Sequence, residues 1–267
     1  MDGEYTNKYS DIHHFLLYKW GDYVVRTAVS KRNKRGRIYG VLIFVAIIAT
    51  ITLFPSEAIR NVIGAGRIKP LNKRTIAIDP GHGGIDGGTY YGDILEKDIN
   101  LLIGLKLKEQ LTKKGAKVIM TREIDDSLED YISNGSRHSR DLKARVKIIE
   151  KSKADIFISI HVNYIKNIKR MGAIAFYYEN SETGKLLAEE IQTYLNELSR
   201  YKEMGIELKR LPMTGDFYIL KNTSIPGVII ETGFISNSSD RKLLLDESHQ
   251  NEIVDLIIKG IIDYFNM

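Results

Sequence analysis

The sequence predicts an α/β fold over residues 73–267, with a mostly parallel sheet flanked by helices, as a single domain behind an apolar N-terminal segment. Three observations support this prediction. Segments with helical spacing of Leu and Ile alternate with short apolar strands. Turn residues follow the first strand at Asp79-Pro80-Gly81, and the first helical segment stops at Gly115. Several strands also end on a residue that can do chemistry, which is where open α/β sheets place their sites.

The individual elements follow from the same patterns. We expect strands at 75–78, 117–120, 156–160, 173–178 and 228–230. We expect helices at 97–114, 142–152 and 182–198, and mainly helix over 240–265. Strands that alternate with helices in this way form βαβ units, in which neighbouring strands run parallel.

The composition limits the classes of protein that the chain can represent. With 43% hydrophobic and 27% charged residues, the chain has the values of a globular protein. It contains no cysteine, which excludes disulfides, Cys-ligated zinc and a thiol nucleophile, so any metal site must use His, Asp and Glu. The net charge of +5 is compatible with several anionic partners, but beyond residue 72 the basic residues are dispersed among acidic ones, so we expect no nucleic-acid partner.

The N-terminal part of the sequence has the pattern of a membrane anchor. A basic cluster precedes residues 38–54, a run of 17 uncharged and mostly apolar residues; the cluster comprises Lys31, Arg32, Lys34, Arg35 and Arg37. Because a bilayer is crossed by about 17–25 apolar residues and the positive flank stays inside, this run predicts a single-pass signal anchor. Residues 1–37 would then be cytoplasmic, residues 55–72 a linker, and residues 73–267 would lie outside the cell membrane.

Two alternatives to the anchor remain open at this point. Cleavage near Ser56-Glu57-Ala58 would make the run a signal peptide and the product a secreted protein, although residues 1–37 are longer than the usual segment before such a run. A buried core helix would also be apolar, but an adjoining basic cluster suits a membrane surface better than a core.

Four residues at the predicted strand ends and at a helix start can form a hydrolytic centre. His82 follows the first strand, Glu96 precedes a helix, and His161 and Glu231 end two further strands. Two histidines and one carboxylate are the ligand set of many catalytic zinc sites, where the ion activates water and polarises a carbonyl. A second carboxylate is needed as the general base. We therefore predict that His82, Glu96 and His161 bind one Zn²⁺ and that Glu231 is catalytic.

Each of these residues also has an ordinary structural interpretation. The Asp79–Gly84 segment can be a tight turn or a phosphate cradle, Glu96 can favour a helix N-terminus by its charge, and His161 can be a hydrogen-bonded core residue. An unpaired carboxylate such as Glu231 after three apolar residues is costly to bury, which favours a functional role. The remaining histidines of the domain, His138 and His249, lie in polar helical surroundings, so we expect them at the surface.

Taken together, the motifs resemble the zinc-dependent N-acetylmuramoyl-L-alanine amidases of the Amidase_3 type, from about Arg74 to Met267. The segments that carry the resemblance are 76–84, Glu96-Lys97, Thr121-Arg122, Leu142 with Arg145, 154–163 and 226–237. The resemblance implies hydrolysis of the amide between N-acetylmuramic acid and L-alanine in peptidoglycan, with the metal and catalytic roles given above. Asn163 and Arg122 are additional candidates for substrate binding.

The architecture is similar to that of the germination-specific amidases of spore formers, which consist of a lone catalytic domain behind a membrane segment. That resemblance implies a role in cortex maturation, where peptide is removed from muramic acid so that muramic-δ-lactam can form. A vegetative amidase for cell separation or wall turnover has the same outline. Residues 163–172 and 198–216 leave no room for a long inhibitory helix, so we expect any control to come from expression, location or an activating protein.

Two rival functions come from other classes. A peptidoglycan-binding scaffold would keep the fold without catalysis, but such proteins usually lose a ligand, and all four site residues are present here. A different zinc hydrolase, such as an endopeptidase or a sugar deacetylase, would use the same ligand chemistry on another bond. The groups released from peptidoglycan distinguish these possibilities.

Overall fold

The computed structural model describes residues 15–20, 23–28, 39, 42–45 and 69–267. The chain divides into two compact units, Met1–Arg67 and Ile68–Met267. The first unit contains an antiparallel strand pair, β1 (Phe15–Trp20) and β2 (Tyr23–Ala28), in which Trp20 pairs with Tyr23. The sequence patterns did not predict this pair.

Most of the predicted anchor lies outside the described residues. Within 38–54, the structure describes only Tyr39 and residues 42–45, which are helical. The rest of the predicted cytoplasmic segment and residues 55–68 of the predicted linker are likewise outside it. Among the described residues, no helix combines the length and the apolar character needed to cross a bilayer.

The second unit is the predicted α/β domain. Its strands are β3 (Thr75–Pro80), β4 (Tyr90–Tyr91), β5 (Ile94–Leu95), β6 (Lys117–Met120), β7 (Ile156–Asn163), β8 (Ile174–Tyr177), β9 (Met213–Thr214) and β10 (Gly227–Phe234). Its α-helices are α1 (Glu96–Lys113), α2 (Arg137–Ser152), α3 (Glu182–Leu195), α4 (Ser199–Glu203), α5 (Tyr218–Lys221), α6 (Ser238–Leu244) and α7 (Glu247–Asn266), and a 3-10 turn spans Glu129–Tyr131.

Six of these strands form one sheet in the order β6-β3-β7-β10-β8-β9. The four strands β6, β3, β7 and β10 are parallel, β8 is antiparallel to β10, and β9 is parallel to β8. The prediction of a mostly parallel sheet is therefore confirmed, and the exceptions are β8 and β9, which run opposite to the other four strands. The parallel strands bring their carboxyl ends to one edge of the sheet, which is where the predicted site residues lie.

Alternating side chains of the central strands pack into two cores on opposite faces of the sheet. On β7, Ile158 and Ile160 are fully buried in the larger core with α1, α3 and α7. Phe157 points the other way, into a smaller core with Ile149 of α2 and Ile219 of α5. Because side chains alternate along a strand, this pattern also puts His161 on the face of Phe157. The two cores hold the sheet between helices and fix the direction of its functional side chains.

A buried ion pair ties α2 to the end of β3. Arg145 donates to Asp79 Oδ1 at 2.8 Å, to Asp141 Oδ2 at 2.6 Å and to the His82 carbonyl at 2.7 Å, and it is 2% exposed. Burial by itself raises the pKa of the Asp79 carboxyl, but Arg145 and hydroxyl donors outweigh burial and lower that pKa. The pair therefore anchors the backbone on which His82 is mounted.

We expect Arg145→Met to lower the free energy of unfolding by about 3–5 kcal/mol, because it leaves the Asp79 charge buried without its partner. Urea denaturation measures the loss. Adding Asp79→Asn should restore part of it, since the orphaned charge is then removed. Lys259→Met, at an exposed position, is the control. An exposed salt bridge contributes up to about 1 kcal/mol. If Arg145→Met lowered the free energy of unfolding by less than that, Arg145 and Asp79 would not form a stabilising buried pair.

The structure confirms that residues 240–265 are mainly helical and corrects two other expectations about the C-terminal part. The helical region predicted over 240–265 is two helices, because the Asp246 side chain accepts from the His249 N–H and starts α7 there. The helix predicted over 182–198 ends at Leu195. His249 is not at the surface: it is 1% exposed and packs edge-on against Tyr201. Burial lowers the pKa of His249, so the neutral ring takes the place of an apolar residue.

Candidate metal centre and active site

The two histidines and Glu96 converge at the carboxyl edge of the sheet. Glu96 Oε1 lies 3.3 Å from His82 Nε2 and 3.0 Å from His161 Nδ1, and all three ligand atoms fall within 4.8 Å of one another. Donors around a tetrahedral zinc ion with bonds of about 2.1 Å are separated by about 3.4 Å. The donor atoms and their spacing therefore fit one metal ion.

Main-chain strain and close packing bring His82 into this position. His82 has a φ of 61°, a left-handed conformation that is uncommon outside glycine. Arg145 holds its carbonyl, and the Gly83 N–H donates to the Asp86 carbonyl. A Cβ on Gly81 would lie 2.2 Å from the His161 ring. Gly81 therefore cannot carry a side chain without displacing His161.

Glu96 is held from several sides. It is 3% exposed and begins α1. Its Oε1 accepts from the Val162 N–H at 3.0 Å and its Oε2 from the Thr89 N–H at 2.8 Å. Burial by itself raises the pKa of Glu96, but the hydrogen bonds and charges of His161 and His82 outweigh burial and lower that pKa strongly. Glu96 is therefore a fixed carboxylate.

Asp86 orients His82 from outside the ligand group, a role that the sequence analysis missed. Its Oδ2 lies 2.9 Å from His82 Nδ1, while its Oδ1 accepts from the Gly88 N–H. Burial by itself lowers the pKa of His82, but Glu96 and Asp86 together outweigh it and raise that pKa to about 9. A carboxylate on the far nitrogen of a metal-binding histidine sets the orientation and basicity of the ring. The position of Asp86, four residues after His82, was the sequence feature from which this orienting role could have been predicted.

We expect Asp86→Asn to weaken zinc binding by about 10–100-fold, because an amide holds the His82 ring less firmly and makes it less basic. Competition with a chromophoric chelator measures the affinity. Asp93→Asn, at an exposed position in the neighbouring β4–β5 turn, is the matched control and should bind zinc like the unmodified protein. Equal affinities for the two variants would contradict the orienting role.

Glu231 lies beside this group as a buried carboxylate. It is on β10 in register with His161 of β7 and is 9% exposed. Its Oε2 is buried and accepts no hydrogen bond among the described residues. Burial raises the pKa of Glu231 to about 7, with a further contribution from Glu96. A carboxylate with a pKa in this range is suited to accept and return a proton near neutral pH.

A cleft of about 520 Å³ opens over these four residues. Its walls are largely apolar and include Leu142, Phe217, Tyr218, Ile219 and Ile229. Asn163 lines the cleft, as its predicted role in substrate binding requires, and so does His138. His138 is exposed, as predicted. The aromatic wall was not predicted, because its residues come from short segments outside the recognisable motifs.

Arg122 does not line this cleft. It is 4% exposed, and its guanidinium donates to backbone carbonyls of Pro80, Gly81, Lys97 and Ile124. These bonds tie the turn before His82 to the start of α1. The structure thus brings His82, Glu96, His161, Glu231 and Asn163 together and places Arg122 behind them.

The fold and the site define an α/β enzyme whose His/Glu/His group is able to hold a metal ion next to a carboxylate suited to proton transfer. The chain belongs to the N-acetylmuramoyl-L-alanine amidase family Amidase_3, whose profile matches residues 76–263. The enzyme class predicted from the sequence is confirmed by this match and by the named relatives.

Three relatives illustrate the similarity. The germination-specific N-acetylmuramoyl-L-alanine amidase of Bacillus subtilis is 39% identical over 202 residues, which cover 73% of this chain and 81% of the relative. The CwlD amidase from Clostridioides difficile, solved in complex with the GerS lipoprotein, is 39% identical with a TM-score of 0.66, covering 73% of this chain and 99% of that one. An N-acetylmuramoyl-L-alanine amidase from Clostridium difficile 630 is 30% identical with a TM-score of 0.62, covering 73% and 98%.

Proposed function

We propose that this chain is a zinc-dependent amidase that hydrolyses the bond between N-acetylmuramic acid and L-alanine in spore-cortex peptidoglycan. The observation that carries the proposal is the convergence of one ligand atom each from His82, Glu96 and His161 within 4.8 Å of one another, beside Glu231, whose Oε2 has no hydrogen-bond partner within residues 69–267. His82, Glu96 and His161 would hold one Zn²⁺. Zinc bound there supplies a Lewis acid that polarises the scissile carbonyl and activates water near neutral pH.

The protein's own residues perform the proton transfers. Glu231 takes the proton of the attacking water and then gives it to the alanine nitrogen as the amide bond breaks. The apolar surroundings that raise the pKa of Glu231 make the carboxylate a stronger base than an exposed glutamate. The apolar wall of the cleft keeps bulk water away from the reacting groups, and Asn163 is in position to hydrogen-bond the bound substrate.

Arg122 takes a different role in this proposal from the one expected from its motif. Because its guanidinium is engaged by four backbone carbonyls, we assign it to positioning the His82 turn relative to α1. Substrate binding by Arg122 remains a prediction, since Arg122 does not line the cleft. Asn163 is retained as the substrate-binding residue.

The spore role is supported by the similarity to two relatives. One carries the name of a germination-specific amidase, and the other is a CwlD amidase captured with a lipoprotein. We propose that this chain also matures the cortex, so that muramic-δ-lactam forms and germination can proceed, and that an activating protein controls it. Residues 38–54 would anchor it in the cell membrane with residues 1–37 in the cytoplasm; secretion after signal cleavage is the alternative. A vegetative wall amidase is the second candidate function, supported by 30% identity to the probable cell wall amidase LytH of Staphylococcus saprophyticus, over 74% of this chain and 60% of that protein.

Complementation tests the cortex role. The full chain would be expressed during sporulation in Bacillus subtilis lacking its germination-specific amidase, and the spore muropeptides would be separated by chromatography. We expect muramic-δ-lactam to reappear with the unmodified chain and not with Glu231→Gln. Restored wall turnover in growing cells without any lactam would favour the vegetative function instead.

A further inference from the structure

A basic groove lies outside the four-residue site. It has a volume of about 480 Å³, and its walls include Lys169, Arg170, Met171, Leu208, Lys209 and Arg210. Two loops form it: the connection from β7 to β8 and the segment before β9. The mixture of cations and apolar side chains fits a ligand that is anionic and partly apolar.

Among residues 69–267, no carboxylate lies within salt-bridge distance of Arg210, and the nearby Asp240 is occupied by three other donors. The Nε of Arg210 is buried without an acceptor among the same residues. Its guanidinium donates to the Met171 carbonyl. Burial and the neighbouring Arg170 lower the pKa of Arg210 and outweigh the opposing charge of the buried Asp240. A cation that is partly removed from water beside a like charge gains from an anion placed next to it.

The other charges of the groove leave it positive. Arg170 and Lys169 are exposed, and neither forms an ion pair with any described residue. Glu207, the acidic residue of the groove, is engaged by Lys209 at 3.0 Å. An anionic ligand would therefore meet several free cations and little repulsion.

The groove is within reach of the reacting groups. Ile174 of β8 is the register partner of Glu231, and Met171 precedes Ile174 by three residues. Three residues span at most about 10 Å and paired strands are about 5 Å apart, so Met171 lies within about 15 Å of Glu231. The two walls of the groove also continue along the chain into the cleft, which is lined by Asn163 and Phe217. An extended peptide of four residues is about 13 Å long, which is comparable with that upper limit.

We propose that the basic groove binds the carboxylates of the stem peptide that the reaction releases. The inference rests on the proposed function, since the peptide beyond the first alanine of peptidoglycan carries free carboxylates. Two to four extended residues cover about 7–13 Å, which lies within the upper limit of about 15 Å between Met171 and Glu231. The cations would hold the acidic part of the peptide while the amide lies over the metal site.

Peptide binding to the full chain tests the groove directly. Isothermal titration would use the free peptide L-Ala-γ-D-Glu-L-Lys-D-Ala and the same peptide with its carboxylates amidated. We expect the acidic peptide to bind at least about 10-fold more tightly than the amidated one, as charge-assisted hydrogen bonds require. The Lys169→Gln/Arg170→Gln double variant should lose that difference, whereas Lys259→Gln, an exposed charge change on α7, should keep it.

Three outcomes would overturn the proposal. These are equal affinity of the unmodified chain for the two peptides, an unchanged affinity of the double variant for the acidic peptide, and displacement of that peptide by poly(glycerol phosphate) at lower concentration than by the peptide itself. The last would assign the groove to a phosphate polymer. Because the free peptide lacks the muramoyl amide, its binding does not depend on turnover, and a failure of the amidase activity would appear separately in the products.

Discussion

Replacing Glu231 with Gln should reduce peptidoglycan hydrolysis by about 10³-fold or more, because the amide cannot accept the proton of water or return it to the leaving nitrogen. The ligand atoms of His82, Glu96 and His161 are unchanged by this substitution, so the variant should still bind one zinc ion. Release of new N-terminal alanine measures the rate. Glu179→Gln, at an exposed position, is the matched control and should keep full activity. Activity of Glu231→Gln within a few-fold of the unmodified chain would remove Glu231 from the mechanism.

The same substitution should stabilise the metal-free protein at high pH. The pKa of Glu231 rises from 4.5 to about 7 on folding. The folded state therefore holds this proton more tightly than the unfolded state, and stability falls as the pH rises through that window. The charged carboxylate should cost about 3 kcal/mol above pH 7, and Glu231→Gln removes that cost. Denaturation at several pH values should show no advantage of the variant below pH 4.5 and the full advantage above 7; a constant difference would contradict the burial argument.

Replacing Glu96 with Gln should abolish turnover and weaken zinc binding by more than about 100-fold. Removing a residue that only hydrogen-bonds to a metal ligand weakens binding by up to about 100-fold, and removing a ligand should cost more. The reason is that Glu96 would supply the anionic ligand of the proposed set, and its Oε1 lies 3.3 Å from His82 Nε2 and 3.0 Å from His161 Nδ1. Metal content after dialysis and chelator competition measure the effect. Glu109→Gln, on an exposed face of the same helix, is the control. Full zinc occupancy in Glu96→Gln would show that the metal binds elsewhere.

Zinc affinity of the unmodified chain should also depend on pH. His82 has a pKa of about 9 in the metal-free site, so it must lose a proton before it can bind the ion. Affinity should therefore rise by about tenfold per pH unit as the pH approaches 9 and then level off. The direction of this dependence follows from the contacts of His82 with Glu96 and Asp86.

The parallel part of the sheet was predictable because each strand carries a strong local pattern. The apolar runs before Asp79, around Ile158 and before Glu231 leave few alternatives to buried strands. Short elements such as β4, β5, β9 and α5 were not predicted, because their few residues have little pattern of their own and depend on the packing of the domain. The break between α6 and α7 depends on one capping side chain, Asp246, inside a continuous helical pattern.

The sequence predicted which four residues converge at the site, but it did not predict the contacts that hold them in place. His82, Glu96, His161 and Glu231 follow from strand ends and from the chemistry of zinc hydrolysis. Which groups hold them depends on contacts between distant parts of the chain, such as the bond from Arg145 to the His82 carbonyl. The position of His249 was predicted wrongly because its polar neighbours along α7 indicated exposure. In the fold, His249 packs against Tyr201 and is buried.

The most direct test of the central claim is the product released from purified peptidoglycan by the full chain, with and without added zinc. We expect two products, new N-terminal alanine and a free muramoyl carboxylate. Both should depend on metal, and both should be absent with Glu231→Gln. Cut peptide or released acetate in place of N-terminal alanine would contradict it, because either product would assign the site to a different bond. Equal release of alanine after complete removal of metal would contradict the role of His82, Glu96 and His161.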